Sequence, residues 1–303
     1  MLPRQARELA NYQDEPQQLP SGALGKDAFL RLGFERRGER SALITLRRRA
    51  PLIVQQALYW DEEMPELPCV YIITNSGGIL QGDRYAIEID VAPGAQAHVT
   101  TQAATRIHEM DANYAAQTQD IVLGEGAYLE YLPYPVVPFR GSRFMTQTKV
   151  TMDPSATLIY SEILMPGRMH YGEGERFAYD LFSSTVRAER PDGNALFTEK
   201  FIVDPRQADI RQVGVMGAFD VFANVLVLTP QAHAHSIFDK TESFLDLERG
   251  LAAGASRLPN DAGLVYNVLG MDSQTVRAQV REFWGLVRRE IVGRNIPKEF
   301  LWG

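Results

Sequence analysis

One cysteine, Cys69, stands in 303 residues. It can build no internal disulfide framework, and no cysteine pair exists to close a zinc site. Positive charge is in deficit: Lys plus Arg number 31 against 38 Asp plus Glu, a net charge of −7 with histidine neutral. Nucleic-acid binders usually carry a basic face, so that class is disfavoured, although Lys26 to Arg49 holds eight basic and three acidic residues. Long apolar runs are missing. Stretches such as Val221 to Leu228 fall far short of the ~20 residues that span a bilayer, and Met1 to Arg7 lacks the apolar core of a secretory signal. These absences predict a soluble cytoplasmic protein that meets neither nucleic acid nor membrane. The apolar content of 45% excludes intrinsic disorder, and the length leaves room for one large domain or two.

What is present is strand-like. Residues 1–25 are polar, broken by Pro16, Pro20, Gly22 and Gly25, and read as a loosely held leader. Leu30, Leu32 and Phe34, then Ala42, Ile44 and Leu46, alternate with polar residues about a turn at Gly38-Glu39-Arg40. After the buried run Val70 to Ile73 comes a loop, Asn75 to Asp83, with glycines at 77, 78 and 82. It lacks the Lys-Ser/Thr and the following helix of a phosphate cradle. Three small-residue turns then recur: Val91-Ala92-Pro93-Gly94-Ala95, Leu123-Gly124-Glu125-Gly126-Ala127 and Met152-Asp153-Pro154-Ser155-Ala156, spaced by 32 and then 29 positions, each between alternating strands. A two-strand unit of that period predicts stacking. The fold expected is mainly β: a stacked-strand, β-helix-like body over 26–228, with a smaller helical part over 229–303 packed on it. Thr229 is a candidate N-cap, with Pro230 at the first helical position. The clearest helix runs from Ser273 to Val292, with Val276, Val280, Phe283, Trp284, Val287 and Ile291 on one stripe, Arg277, Arg281 and Arg288 off it, and Gly293 as the stop. The terminus carries an unusually apolar Phe300-Leu301-Trp302.

Catalytic motifs are absent: no His-Glu-x-x-His, no nucleophile elbow. His233 and His235, two apart, would point to different faces of a helix. His98 and His108 lie in the repeat region. The remaining polar candidates are Asp83, Glu130, Arg143, Glu162 and Arg168. Glu130 and Glu162 follow their respective turns at similar positions, so stacking is expected to bring them together. They read either as a carboxylate pair for acid–base or glycosidic chemistry, or as buried groups satisfied by Arg143 or Arg168 that order loops or line a watery passage.

Taken together the segments resemble the urease accessory protein UreD (UreH) family. Gly77-Gly78-Ile79-Leu80-Gln81-Gly82-Asp83 is similar to its glycine loop. Pro93-Gly94-Ala95 with Thr100-Thr101-Gln102-Ala103-Ala104-Thr105 resembles its most recognisable block. Glu130-Tyr131-Leu132-Pro133, Pro138-Phe139 through Arg143-Phe144, and Glu162-Ile163-Leu164 with Gly167-Arg168 follow in order. Asn75-Ser76, Gln81 and Tyr134-Pro135 depart from the pattern. The resemblance implies a non-enzymatic scaffold, β-helix-like with an added helical part. It would bind the accessory protein UreF, through it the GTPase UreG, and then the urease apoprotein. No cofactor would be held tightly: nickel would be in transit through a polar interior, and GTP would sit on the partner GTPase. On that basis Asp83, Glu130 and Glu162 are candidate passage carboxylates, since nickel in transit needs hard or borderline ligands that release it. Thr100, Thr101, Gln102, Arg143 and Arg168 are candidates for the same interior or for ordering its loops. Phe283, Trp284, Phe300, Leu301 and Trp302 are candidates for a UreF-facing surface, the alternative for the helix stripe being packing on its own body. Two other functions stay open: a β-helix enzyme acting on carbohydrate through Glu130 and Glu162, and an assembly adaptor that never touches nickel.

Overall fold

The computed structural model describes residues 6–14 and 27–298. An opening hairpin pairs β1 (Asp27–Arg37) with β2 (Arg40–Arg49), and β3 (Leu52–Ile53) pairs with β4 (Cys69–Thr74). Three repeat units follow. They are β5 (Arg84–Val91) with β6 (Gln96–Thr101), β8 (Ala115–Leu123) with β9 (Tyr128–Tyr131), and β11 (Arg143–Met152) with β12 (Thr157–Leu164). The short β7 (Thr105–Ile107) and β10 (Val136–Pro138) lie between them.

Within a unit the chain crosses from one sheet to the other. The entering strands pair in parallel, Val91 beside Leu123 and Leu123 beside Met152. The leaving strands also pair in parallel, Gln96 beside Tyr128 and Tyr128 beside Thr157. The offsets between these partners are the 32 and 29 residues of the sequence repeat. The turns have one construction: the amides of Ala95, Ala127 and Ala156 donate to the carbonyls of Ala92, Gly124 and Asp153. Gly94 and Gly126 sit at φ 65° and 61°, where a side chain would be strained. The three alanines are buried one above another, because the inside of each turn has room for little more than a methyl group.

β13 (Leu181–Glu189) and β14 (Ala195–Val203) complete a seven-stranded sheet in the order β14-β13-β11-β8-β5-β1-β2. β15 (Val221–Leu228) extends the other sheet. Helix α1 (Gln231–Lys240) follows, then β16 (Phe244–Asp246), β17 (Leu251–Arg257), β18 (Gly263–Gly270) and helix α2 (Ser273–Val292). The second sheet runs β16-β17-β18-β15-β12-β9-β6-β4-β3 with β7 and β10 attached, eleven strands in all. One hydrophobic core fills the space between the sheets, with Leu30, Ile87 and Ile121 from one meeting Val99, Leu129 and Leu158 from the other. A second core lies on the outer face of the eleven-stranded sheet, where Ile159, Val225 and Tyr266 pack against Val276, Phe283 and Val287 of α2. β12 is therefore apolar on both faces, as a strand covered on both sides must be.

The mainly β class and the terminal helix stand as expected, and α2 occupies the predicted residues, with Gly293 at φ 66° ending it. Three expectations change. Residues 229–303 are not simply helical, because β16, β17 and β18 in that stretch continue the second sheet. Thr229 does not cap α1: its hydroxyl pairs with that of Thr157 at 2.8 Å, and Pro230, with ψ 144°, stands outside the helix. Part of the leader is anchored. Arg7–Tyr12 forms a 3-10 turn whose Leu9 is buried with Tyr114, Ala116, Met145 and Leu181, while Glu8 accepts from Ser183 and pairs with Lys200. The rest of 1–25 lies outside the described residues.

Candidate functional site

Glu130 sits on β9 with its side chain on the outer face of the sheet, fully buried beneath α2. Its neighbours are donors. Oε1 accepts from Tyr128 Oη at 2.6 Å, Trp284 Nε1 at 2.8 Å and Arg288 Nε at 2.8 Å; Oε2 accepts from Arg288 Nη2 at 2.7 Å and His98 Nδ1 at 2.8 Å. Arg288 also reaches Asp61 Oδ2 at 2.6 Å, and Asp61 Oδ1 accepts the amides of Glu63 and Met64. Burial alone would raise the Glu130 carboxyl, but the Arg288 charge and the hydrogen bonds from His98 and Arg288 outweigh it, and the group is held well below the usual carboxylate range. Every lone pair is engaged. Arg288 was placed off the apolar stripe by its sequence, yet it is 1% exposed. The missed signal is its spacing: four residues after Trp284, it shares that side chain's helix face.

Glu162 lies on the opposite face. Parallel pairing sets Ile159, not Glu162, beside Glu130. Glu162 is three residues further along, and an odd step on a strand reverses the side-chain direction. The expected carboxylate pair is therefore not formed, since the two acids are separated by the sheet. Glu162 faces the interior with Tyr160, and its partners are neutral: Ser184 Oγ donates to Oε2 at 2.7 Å. Burial pushes the carboxyl up to about 7, and the nearby Glu199 adds to the rise. Glu199, itself raised by burial, accepts from Asn224 Nδ2 at 2.6 Å. Beside Glu162 a narrow cavity of about 60 Å3 is lined by Gln119, Thr146, Tyr160 and Thr101 among apolar side chains. Gln119 Nε2 spans the two sheets, donating to Thr148 Oγ1 at 2.9 Å and Tyr160 Oη at 3.2 Å.

The other candidates divide. Asp83 is buried and orders the glycine loop: Oδ2 accepts the Leu80 amide at 2.9 Å and the Tyr85 hydroxyl at 3.3 Å. Gly78 in that loop, at φ 153°, lies so close to the Arg106 carbonyl that a Cβ would stand 2.7 Å from it. Thr100 faces α2 and donates to the Leu132 carbonyl, whereas Thr101 lines the interior cavity and receives the Tyr134 amide. Gln102, at a bend just past β6, is exposed and leaves the expected interior set. Arg143 and Arg168 satisfy neither Glu130 nor Glu162. Arg143 Nε donates to Asp180 at 2.7 Å and its guanidinium covers Tyr12. Arg168 forks onto Glu175 at 2.8 and 2.6 Å between the rings of Phe139 and Tyr171. Both order loops. Phe283, stacked on Tyr266 at 4.1 Å, and Trp284 are buried in the chain's own second core, so they offer no partner surface. Phe300, Leu301 and Trp302 lie outside the described residues. Among the described residues no three His, Cys, Asp or Glu side chains converge as metal ligands, and no helix is long and apolar enough to cross a membrane. His233 and His235 both lie on α1.

Comparison with known proteins fits this arrangement to a family. The model for "UreD urease accessory protein" matches residues 26–303. "Urease accessory protein UreD 2" of Brucella suis biovar 1 (strain 1330) is 63% identical over 297 residues, covering 98% of both chains. "Urease accessory protein UreD" of Yersinia pseudotuberculosis serotype O:1b (strain IP 31758) is 51% identical over 297 residues, covering 98% of this chain and 92% of its own.

Proposed function

Because the chain belongs to the UreD family of urease accessory proteins, which are not enzymes, we propose that it is the cytoplasmic scaffold on which nickel is inserted into apo-urease. In this reading it binds UreF, which brings the GTPase UreG; GTP is bound and hydrolysed on that partner, and the assembly docks on the urease apoprotein. Nickel is cargo. It is handed through the interior between the two sheets rather than kept.

The observation that carries the passage is Glu162, a largely buried carboxyl on a narrow cavity where a few polar side chains stand among apolar ones, held by neutral hydrogen-bonding partners and poised near neutrality. A carboxyl of that kind takes a divalent ion by giving up a proton and releases it by taking one back. Oxygen ligands are weak enough for nickel to leave them. Glu130 is unsuited to the task, because all its lone pairs are engaged and its counterion Arg288 would repel a second cation. Asp83 contributes the shape of a loop. This narrows three candidate carboxylates to one, with Glu199 as its neighbour.

The test is urease activation in cells carrying the other urease genes, with this gene deleted and then restored as wild type or Glu162→Gln. Wild type is expected to restore both activity and nickel content of purified urease. Glu162→Gln is expected to assemble with the partners yet load less nickel. Full nickel content without the gene would overturn the scaffold. Full loading by Glu162→Gln would leave the adaptor reading.

A further inference from the structure

The seven-stranded sheet ends on β2, and among the described residues no strand pairs with its far side. Near its start that side is occupied: the Ser41 amide donates to the Glu66 carbonyl, and the Ser41 carbonyl accepts the Tyr59 hydroxyl. Over residues 43–49 the backbone has no partner but β1 among the described residues. In an antiparallel ladder alternate residues turn their N–H and C=O away from the neighbouring strand. The stretch therefore presents a row of open donors and acceptors, a template for another strand.

Charge singles this edge out. Residues 26–49 hold eight of the chain's 31 basic residues and three of its 38 acidic ones, leaving 23 basic against 35 acidic elsewhere. Leu46 packs against the core between the sheets, so Arg47 and Arg49 stand together on the outer face. Both are exposed and without a carboxylate partner among the described residues. Arg47 lies directly opposite Arg31 of β1, a like-charge pair that costs stability. Glu88 and Asp90 answer Arg31, at 3.5 and 3.0 Å, and leave Arg47 unanswered. Arg48, also exposed, donates to the Val54 carbonyl. Ile44, skipped where the register shifts, is 45% exposed. Arginines along an edge turn away a second copy of β2, and the same charge selects a strand of opposite sign.

We propose that residues 43–49 are a docking edge for an acidic, extended segment of a partner protein, which adds to the sheet as a further strand, with its carboxylates on Arg47 and Arg49 and an apolar side chain on Ile44. A nucleic-acid backbone would use the arginines but neither the open backbone groups nor Ile44, and it would face an otherwise acidic molecule. The inference rests on this edge alone and does not depend on the passage beside Glu162.

Fluorescence anisotropy of the full-length protein with labelled heptapeptides tests it. The probes alternate glutamate with valine, glutamate with proline, or lysine with valine. The first is expected to bind with a sub-millimolar Kd. The glutamate–proline probe keeps the charges but loses alternate amide donors, and should bind at least about tenfold more weakly; the lysine–valine probe should not bind. Arg47→Gln combined with Arg49→Gln, both at exposed positions, should weaken the first probe about tenfold, and lysine at both positions should recover part of the loss. Saturation with the first probe should slow hydrogen–deuterium exchange over residues 43–49. Absence of binding by the glutamate–valine probe, equal affinity for the two acidic probes, tighter binding of an oligothymidylate of the same length, indifference to the arginine substitutions, or unchanged exchange over residues 43–49 would each overturn the proposal.

Discussion

The two faces of the eleven-stranded sheet each bury a glutamate, and they treat it in opposite ways. Beneath α2, Glu130 meets a guanidinium, an indole, a phenol and an imidazole, all donating, and is fixed as an anion. Between the sheets, Glu162 meets hydroxyls and another acid, and folding favours its protonated form. The residue type is the same, and although Glu162 is somewhat less buried than Glu130, the main difference lies in the partners. A carboxylate saturated with donors is a fastening, tying α2 to β9 and, through Arg288, to Asp61. A carboxylate left with neutral partners keeps its proton chemistry available. Burial of an acid therefore does not by itself mark a functional site; what surrounds it does.

That contrast can be broken most forcefully at Arg288. Arg288→Ala leaves Glu130 and Asp61 buried without their counterion and is expected to cost about 3–5 kcal/mol, read from urea unfolding midpoints. The double variant Glu130→Gln, Arg288→Met, which removes the charges together, should recover much of it. The sign of the pH response sharpens the contrast. Glu130, depressed by folding, contributes stability above the ordinary carboxylate range that is lost as pH falls through its folded value. Glu162 runs the other way. Below the ordinary value of 4.5 it is protonated folded or unfolded and costs nothing; above about 7 the folded chain must hold a buried charge that the unfolded chain carries freely. Its share of stability falls as pH rises between those values, by about 3 kcal/mol at most. Glu162→Gln should remove that slope and stabilise the protein at pH 8 by about 1–3 kcal/mol in thermal or urea unfolding. The smallest effect is expected at Asp272, which accepts the Thr275 amide and hydroxyl at 2.8 Å each at the start of α2. Asp272→Ala should cost about 1 kcal/mol and loosen the Glu130 fastening without touching Glu162. A changed pH slope in that variant would show that the two faces are coupled.

The sequence made some of this legible for physical reasons. Turn residues at 32 and 29 spacing mark the pairing register directly, because stacked strands must repeat with their turns. The apolar stripe of α2 and Gly293 bound the helix to the residue. Facing was harder. Glu130 and Glu162 looked equivalent by distance from their turns, and a three-residue difference sent them to opposite sides. Arg288 carries a charge that composition assigns to solvent, and only its buried partners, 158 and 227 residues away in sequence, explain its place. The strands between the two helices escaped notice because Leu251 to Arg257 is rich in small residues and shows little alternation. Leu9 was lost among polar neighbours, since a single anchoring side chain makes no periodic pattern.

The alternation of the repeat units between the two sheets has a kinetic consequence. Strands that pair with each other are never consecutive through β5–β12: each parallel pairing closes a loop of about thirty residues that contains a strand of the opposite sheet. Neither sheet can grow by local zipping, and neither can finish ahead of the other. Such a topology folds slowly for its size and offers no half that stands alone, so a chain interrupted within this region exposes two unfinished edges at once.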